Sequence, residues 1–348
     1  GDHRDLHSFP TRRPSDLYAI SAPTVGGIVR LTKFILKGTF LIEGMGALLL
    51  LPVFCHDFGW KGIWMAVFHS ISAFCNAGFD ILGREGHLYP SIVGYADNIL
   101  VNGVIIGLII IGGIGFLTWE DICEYKWKFK IYRMQSKLIL ATTVCLIIFP
   151  ACFFFFADFQ HLPVKSRFLA SVFQSVTPRT AGFNTVDITM MTEASKVVMI
   201  LLMLIGGSPG STAGGMKTTT FAVLLLNAVA TFKSQEHAGA FGRRIDDQVI
   251  KNAASIAMLY FMMFLAGGIM ISTAEGLPIL GSLFEAASAM GTVGLTLGIT
   301  PSLHKISLYV LILLMYMGRV GGLTLIYAVF SGKNKANARF PMEKVMIG

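Results

Sequence analysis

The amino-acid sequence predicts an all-α polytopic membrane protein that is assembled from a repeated unit. Hydrophobic residues make up 54% of the chain and charged residues only 14%, whereas a soluble domain carries roughly 25% charge. Several apolar runs reach the ~20 residues that a helix needs to cross the ~30 Å hydrocarbon layer. The formal net charge of +8 is therefore expected from Lys and Arg in cytoplasmic loops, and not from a nucleic-acid site.

A glycine-bearing motif that occurs three times defines the repeat. Its copies cover residues 68–80, 173–184 and 284–296. Each copy begins with Phe and a polar residue and ends in a small residue, a Gly, and Phe or Leu, although the middle copy is one residue shorter around Pro178. Apolar spans flank each copy, so the predicted unit is a span, a short helix, a loop and a second span.

The units follow one another along the chain. Their short helices are predicted at 63–74, 168–176 and 279–290, where the apolar run is too short to cross a membrane. Long spans are predicted at 34–55, 99–116, 138–156, 253–271 and 306–330. Polar connectors at 119–137 and 233–251 separate the units. The resulting division is 18–125, 126–235 and 236–332, followed by a polar tail at 333–348.

Residues 1–17 do not share the character of the rest. They are polar, lack an apolar period and closely resemble the reading-frame translation of a sequencing adapter, with Pro14 as the one departure. We expect them to be an artefact and exclude them from the fold. On this interpretation the native protein continues upstream of residue 18.

The second span of the middle unit is interrupted. An unbroken helix over 197–232 would be about 54 Å long, well beyond the bilayer core. Five glycines and Pro209 fall within 206–215, and such a stretch is not stable helix interior. We predict a broken helix whose loop lies in or beneath a pore, because irregular backbone at membrane depth needs protein or a water-filled cavity around it. An ordinary cytoplasmic linker is the alternative.

A short helix followed by a glycine loop between two spans is typical of an ion selectivity filter. Rings of backbone carbonyls replace the water shell of the ion there, and the C-terminal end of each short helix adds partial negative charge. Neutral carbonyls suit a monovalent cation better than a divalent one, which prefers carboxylates. The sequence therefore predicts span–pore helix–span units around a central pore.

These motifs resemble the Trk/Ktr/HKT superfamily of potassium transporters, and most nearly the bacterial KtrB type of translocating subunit. The resemblance is carried by TPRTAGFN at 177–184, IGGSPGSTAGGMKTTTF at 205–221, TVGLT at 292–296 and MGRVGGL at 317–323, and it covers essentially all of residues 20–348. It implies four fused units around one pore, of which this chain carries the second, third and fourth, with the first expected upstream. Cys75, beside the first retained filter strand, departs from the family pattern.

The resemblance implies roles for two sets of residues and for partners. The expected filter residues are Asn76, Ala77, Gly78, Phe79, Thr180, Ala181, Gly182, Phe183, Thr292, Val293, Gly294 and Leu295. The expected gate, an intramembrane loop with an arginine facing the permeation path, comprises Gly206, Gly207, Ser208, Gly210, Gly214, Gly215, Lys217 and Arg319. The family also implies K+ as the transported ion, a homodimer, and a cytosolic nucleotide-binding regulatory subunit of the KtrA or TrkA type. No cofactor is expected, and an activating Na+ is left open.

Three charged residues at membrane depth are candidates for a functional or a bracing role. Glu43 lies inside the first span and is either functional or bonded to a neighbouring helix. Arg319 in the last span either pairs with carbonyls or a carboxylate inside the protein or extends to the interface. Glu285 is expected to brace the last filter loop through backbone N–H groups.

The distribution of charge predicts the orientation in a bacterial plasma membrane. The connectors and the tail hold most of the Lys and Arg, so they are expected to be cytoplasmic. The segments with the short helices hold few, among them Arg84, Lys165 and Arg179, so the filter loops are expected to face outward.

Three other functions are alternatives to potassium uptake. A sodium-permeable member of the same family remains open, and the missing first filter strand would discriminate. A secondary transporter would show two inverted halves, and the three parallel pore loops oppose this. An intramembrane enzyme would need a cluster of acid, His or nucleophile residues, and the eight histidines occur singly.

Overall fold

The computed structural model describes residues 25–83 and 90–320, which form a helical protein with one short hairpin. The helices are α1 Val25–Phe58, α2 Lys61–Phe74, α3 Ile99–Gly113, α4 Phe116–Tyr125, α5 Met134–Ala157, α6 Val164–Val176, α7 Glu193–Leu204, α8 Thr218–Phe232, α9 Asp247–Glu275, α10 Ile279–Met290 and α11 Lys305–Val320. The hairpin pairs β1 Gly239–Ala240 with β2 Arg243–Arg244. The segment at 1–17, the tail at 333–348 and the end of the last predicted span lie outside the described residues.

Long apolar helices give the chain its membrane character. Within the described residues, three helices are long and apolar enough to cross a membrane: Val29–Phe58 of α1, Met134–Ala157 and Asp247–Glu275. Each of them precedes one of the short helices α2, α6 and α10. The span–pore helix–span unit is thus confirmed as the building block of a multi-pass membrane fold.

The three short helices lie at or near their predicted bounds. Helix α10 begins and ends as predicted, whereas α2 and α6 begin two and four residues early. Pro163 and Pro278 directly precede α6 and α10. Their fixed φ and missing N–H suit a helix start, where no intrahelical partner is available.

The span predicted at 99–116 is shorter than expected. Helix α3 ends at Gly113, and α4 leaves it at a bend of 100°. The bend occurs at Gly115, which has a φ of +89° and a Cα so close to the Pro209 carbonyl oxygen that a methyl group there would lie 2.6 Å from it. Only glycine fits this position.

The connector predicted at 119–137 is therefore partly helical. Asp121 of α4 is fully buried and accepts a hydrogen bond from the Arg133 backbone N–H at 3.1 Å. The Arg133 guanidinium donates to Glu120 at 2.7 Å. These bonds tie α4 to the start of α5.

The helix break in the middle unit is present. Helix α7 ends at Leu204 and α8 begins at Thr218. The two ends of the intervening loop are joined by a bridge between Ile205 and Met216 and by the Gly206 N–H, which donates to the Met216 carbonyl at 2.7 Å. Ser208 and Ala213 are buried while Gly210 is exposed, so residues 205–217, here called the intramembrane loop after their predicted position, are partly covered by the rest of the protein. The position of this loop in or beneath a pore, as opposed to a cytoplasmic linker, stays a prediction.

Two hydrophobic cores meet at the middle of the molecule. The first contains Ala181 and Phe183 together with residues of α1 to α4. The second contains Val293 and Leu295 together with residues of α5, α7, α9, α10 and α11. The predicted filter segments of the last two units therefore lie where the cores join.

Candidate functional site: three glycine strands and the loop beneath them

Each short helix runs directly into a strand with an unusual backbone. The glycines Gly78, Gly182 and Gly294 have φ values of +70°, +83° and +91°. The residue two positions earlier is also left-handed in every copy: Asn76 at +50°, Thr180 at +69° and Thr292 at +51°. The residue between them is not left-handed. We refer to residues 76–79, 180–183 and 292–295 as the first, second and third filter strands.

This alternation sets the three strands apart from ordinary β-strands. Successive carbonyls of an extended strand point to opposite sides, and left-handed residues at alternate positions interrupt that regular pattern. Threonine is β-branched and rarely adopts a positive φ, at a cost of about 1–3 kcal/mol. Strain at Thr180 and Thr292 is therefore maintained by the surrounding structure.

The three strands pack against one another in chain order. A methyl group at Gly78 would lie 2.2 Å from the Ala181 carbonyl oxygen, and one at Gly182 would lie 2.0 Å from the Val293 carbonyl oxygen. A methyl group at Gly294 would have no atom within 4 Å. Each of the first two glycines is thus required by a close approach as well as by its φ.

Hydroxyl groups brace the strands from the ends of the short helices. Ser72 donates to the Phe79 carbonyl at 2.8 Å, and Thr177 donates to the Phe183 carbonyl at 2.5 Å. Ser288 accepts a hydrogen bond from the Gly294 N–H at 3.2 Å. Sequence reasoning missed these residues, although a hydroxyl near the end of every short helix was a detectable signal.

A second brace contacts the residues that directly follow the second and third strands. Gln174 donates to the Asn184 side chain at 3.2 Å. Glu285 accepts from the Thr296 hydroxyl at 2.7 Å and from the Leu297 N–H at 2.9 Å, and its second oxygen accepts from Thr300 at 2.6 Å. Glu285 thus contacts one backbone N–H and two hydroxyls just after the third filter strand.

The left-handed residues share a further property. The side-chain oxygens Oδ1 of Asn76 and Oγ1 of Thr180 and Thr292 are buried and lack a hydrogen-bond partner in the part of the chain that the structure describes. Buried polar atoms of proteins are normally paired. Three unpaired neutral oxygens at equivalent positions are suited to a weakly held cation or water.

The intramembrane loop lies against the first and third strands. Thr212 is its central contact: its Oγ1 lies 3.1 Å from the carbonyl oxygens of both Phe74 and Gly112, and it accepts from Asn76 Nδ2 at 3.2 Å. At the third strand, a methyl group at Gly214 would lie 2.0 Å from Thr292 Oγ1. The glycines of this loop let its backbone approach the strands.

Cationic side chains hold the same loop. Lys217 donates to the Ala213 carbonyl at 2.8 Å, and Arg319 donates to the Thr212 carbonyl at 3.1 Å. Arg319 therefore pairs with a carbonyl, one of the two outcomes considered from the sequence. Glu43 accepts a weak bond from the Cys75 thiol, at 3.8 Å.

The structure thus gathers the predicted residues into two layers. The three filter strands form one layer, and the intramembrane loop with Lys217 and Arg319 forms the other. The strands differ at their last residue, because Phe79 is 70% exposed while Phe183 and Leu295 are buried. Within the described residues, no group of three His, Cys, Asp or Glu side chains could hold a metal ion.

Comparison with known proteins identifies the family. Residues 21–336 match the family model TrkH, described as cation transport protein. The chain is 38% identical to the potassium/sodium uptake protein NtpJ of Enterococcus hirae and 35% identical to the Ktr system potassium uptake protein B of Bacillus subtilis, over 95% of this chain and 74% of each relative.

A solved structure shares the fold. The potassium transporter TrkH from Vibrio parahaemolyticus superposes with a TM-score of 0.71 at 20% identity, over 89% of this chain and 65% of that one. The chain thus spans somewhat less than two thirds of that transporter. With the family model and the two relatives in agreement, the chain belongs to the TrkH family of cation transport proteins.

Proposed function

We propose that the protein takes up K+ across the bacterial plasma membrane through the three filter strands, with the intramembrane loop as the gate. The alternating φ values of the three strands are the observation that carries this proposal, because a backbone that departs from the extended form at every second residue would let neighbouring carbonyls face one ion path. Three of the relatives and neighbours are named as potassium transporters or uptake proteins. The chemistry needs no catalytic group and no cofactor, because a cation exchanges water for protein oxygens and is not altered.

The proposed ion ligands are the carbonyls of the filter strands, with the unpaired side-chain oxygens of Asn76, Thr180 and Thr292 at their inner ends. Neutral oxygens replace the hydration shell of a monovalent cation without trapping it. The C-terminal ends of α2, α6 and α10 point their partial negative charge to the same place.

A fourth strand belongs to this proposal. Gly78 and Gly182 each pack against the next strand in chain order, and the corresponding side of Gly294 has no atom within 4 Å. A further span–pore helix–span unit would close the ring on that side, as the resemblance to four fused units implies. The proposal predicts that Gly294 is then as intolerant of a side chain as Gly182.

The gate consists of the intramembrane loop and the two cations that hold it. The loop lies against Asn76 and Thr292 at the inner ends of two strands, where a backbone segment would obstruct an ion that leaves the filter. Lys217 and Arg319 add positive charge, which opposes a cation while the loop is in place.

A sodium-permeable transporter is the second candidate. The relative from Enterococcus hirae is named a potassium/sodium uptake protein, and this observation favours passage or an activating role of Na+. Under both candidates we propose a homodimer with a cytosolic nucleotide-binding regulator. The exposed basic connectors at 119–137 and 233–251 would provide the surface to which this regulator docks.

Selective uptake by the full-length transporter in a bacterial strain without its own potassium uptake tests the function. We expect Gly182→Ser to lower the ratio of K+ to Na+ uptake by about tenfold, because its side chain would displace the Val293 carbonyl. Gly103→Ser is the matched control, since a methyl group at Gly103 would have no atom within 4 Å. An unchanged ratio in Gly182→Ser, at normal expression, would contradict the filter.

A further inference from the structure

The outer ends of the filter strands are braced by equivalent residues in two of the three units. In each unit the brace starts from the polar residue that follows the first Phe of the motif: His69, Gln174 or Glu285. It ends at or beside the second residue after the filter glycine. Gln174 donates to Asn184, and Glu285 accepts from Thr296. Both bonds tie a short helix to the segment that leaves its own strand.

The first unit carries a His and an Asp at these positions. His69 is fully buried, and its ring lies 5.1 Å from the ring of Phe54 and 6.4 Å from that of Phe183. Its Nδ1 is 2.7 Å from the Met65 carbonyl oxygen. A carbonyl only accepts, so Nδ1 carries the proton and Nε2 of the neutral ring is an acceptor. Within residues 25–83 and 90–320, Nε2 has no hydrogen-bond partner.

Asp80 is the equivalent of Asn184 and Thr296. Its Oδ1 accepts a hydrogen bond from the Leu82 N–H at 3.1 Å, so Oδ2 is the oxygen that a protonated His69 would reach, and Asp80 is the carboxylate that favours a charge on His69. The other nearby acids are engaged elsewhere: on α1, Glu43 accepts from Cys75, and Asp57 accepts from His56 and Tyr95. Between α6 and the second filter strand, Arg179 is directed to Thr143 of α5. A neutral His69 cannot donate from Nε2 to the Asp80 carboxylate, so the brace is not formed in that state.

We propose that His69 and Asp80 form a protonation-dependent brace of the first filter strand. A proton taken up from the outer solution at Nε2 converts that atom into a donor, and the Asp80 carboxylate accepts its hydrogen bond, as Asn184 accepts from Gln174. The inference rests on the proposed filter function. His69 is a positioning residue, since it acts on the ion through the strand.

The direction of the pH effect follows from the protonation of the His69 ring. Burial of the ring between Phe54 and Phe183 lowers the pKa of His69 below the ordinary His value of about 6.5. The charged pair therefore forms only on the acid side of that value and is absent at neutral pH. Mild acid outside the cell is expected to hold the first strand more firmly and to sharpen the discrimination between K+ and Na+.

The test measures the ratio of K+ to Na+ uptake of the full-length transporter at external pH of about 7.5 and about 5.5. We expect the wild-type ratio to rise about threefold in acid. The double variant H69Q/D80N places the Gln–Asn pair of the second unit into the first, and its ratio should be the same at both pH values. H56Q/D57N is the matched control, because it removes a His–Asp pair at the outer end of α1, and it should keep the wild-type dependence.

Two results would overturn the brace: a wild-type ratio that does not change with pH, or a pH dependence that persists in H69Q/D80N. If that variant does not fold, Asp80→Asn replaces it, since Asp80 is only partly buried and its change alone should abolish the dependence. Failure of the proposed function is distinguishable, because it would leave Gly182→Ser with a wild-type ratio at both pH values.

Discussion

At the scale of single residues, the described interior around the filter strands contains buried polar groups that make fewer hydrogen bonds or ion pairs than their atoms allow. Arg179 is the largest of them. It follows α6 and is 6% exposed, and its guanidinium donates one hydrogen bond within the described part of the chain, to the Thr143 hydroxyl at 3.4 Å. Among the described residues no carboxylate lies within ion-pair distance of it. The sequence placed Arg179 among the outward loop charges, whereas the structure buries it against α5.

Replacing Arg179 is expected to stabilise the protein. Arg179→Met keeps much of the volume and removes a buried charge, and such exchanges are often neutral or stabilising by 1–4 kcal/mol. We expect the unfolding temperature in detergent to rise by about 2–5 °C. Arg167→Met is the control, because Arg167 stacks 4.0 Å from the Phe155 ring and donates to the Phe155 carbonyl. A lower unfolding temperature for Arg179→Met than for wild type would show that the guanidinium has a stabilising partner.

At the scale of elements, the intramembrane loop is attached to its neighbours largely by hydrogen bonds. Several of these bonds involve Thr212, which contacts the end of α2, the end of α3, the first filter strand and α11. Glycines on both sides permit the close contacts. Met216 packs against the second hydrophobic core, but the middle of the loop is held mainly by polar bonds, and a segment held in this way opens more easily than a hydrophobic core.

Removing the Thr212 hydroxyl should loosen the loop. Thr212→Val preserves the shape but breaks the bonds to Phe74, Gly112 and Asn76, each worth about 1 kcal/mol. If the loop is the gate, the initial rate of K+ uptake should rise about fivefold at equal expression. Thr231→Val on α8, whose hydroxyl bonds only within its own helix, should keep the wild-type rate. An equal or lower rate in Thr212→Val would count against gating by this loop.

At the scale of the whole molecule, the two basic connectors form one surface. The ring of Phe129 in the first connector lies 6.4 Å from that of Phe241 in the second, and the Lys137 ammonium lies within 6 Å of both rings, at 5.9 and 5.8 Å. Exposed cations from both connectors, including Lys130 and Arg243, therefore share one end of the bundle. This arrangement supports a single cytoplasmic face.

Labelling of single cysteines tests this orientation. In a background without the five native cysteines, Glu236→Cys should react with a membrane-impermeant maleimide only in inside-out vesicles. Gln160→Cys, beyond the outer end of α5, should react only in intact cells. Both positions are exposed, so access to the reagent depends on the side of the membrane. Reaction of both cysteines from the same side would refute the proposed topology.

The local pattern of the sequence predicted most of the elements. The threefold motif located the three short helices, because each apolar run is too short to span and ends in a glycine loop. Glycine density predicted the helix break at 205–217. Element ends were less accurate: the bend at Gly115 depends on the Pro209 carbonyl, which is remote in sequence.

By itself, the sequence determined the membrane class, the repeat, the position of the filter glycines and the resemblance to a transporter family, because composition, hydrophobic length and glycine spacing are local properties of the chain. Only the tertiary structure decided which groups meet. It paired Glu285 with Thr296, left Nε2 of His69 without a partner, and joined Thr212 to three other segments. Such contacts arise from the packing of helices that are far apart in the chain, and no local pattern encodes the distance between them.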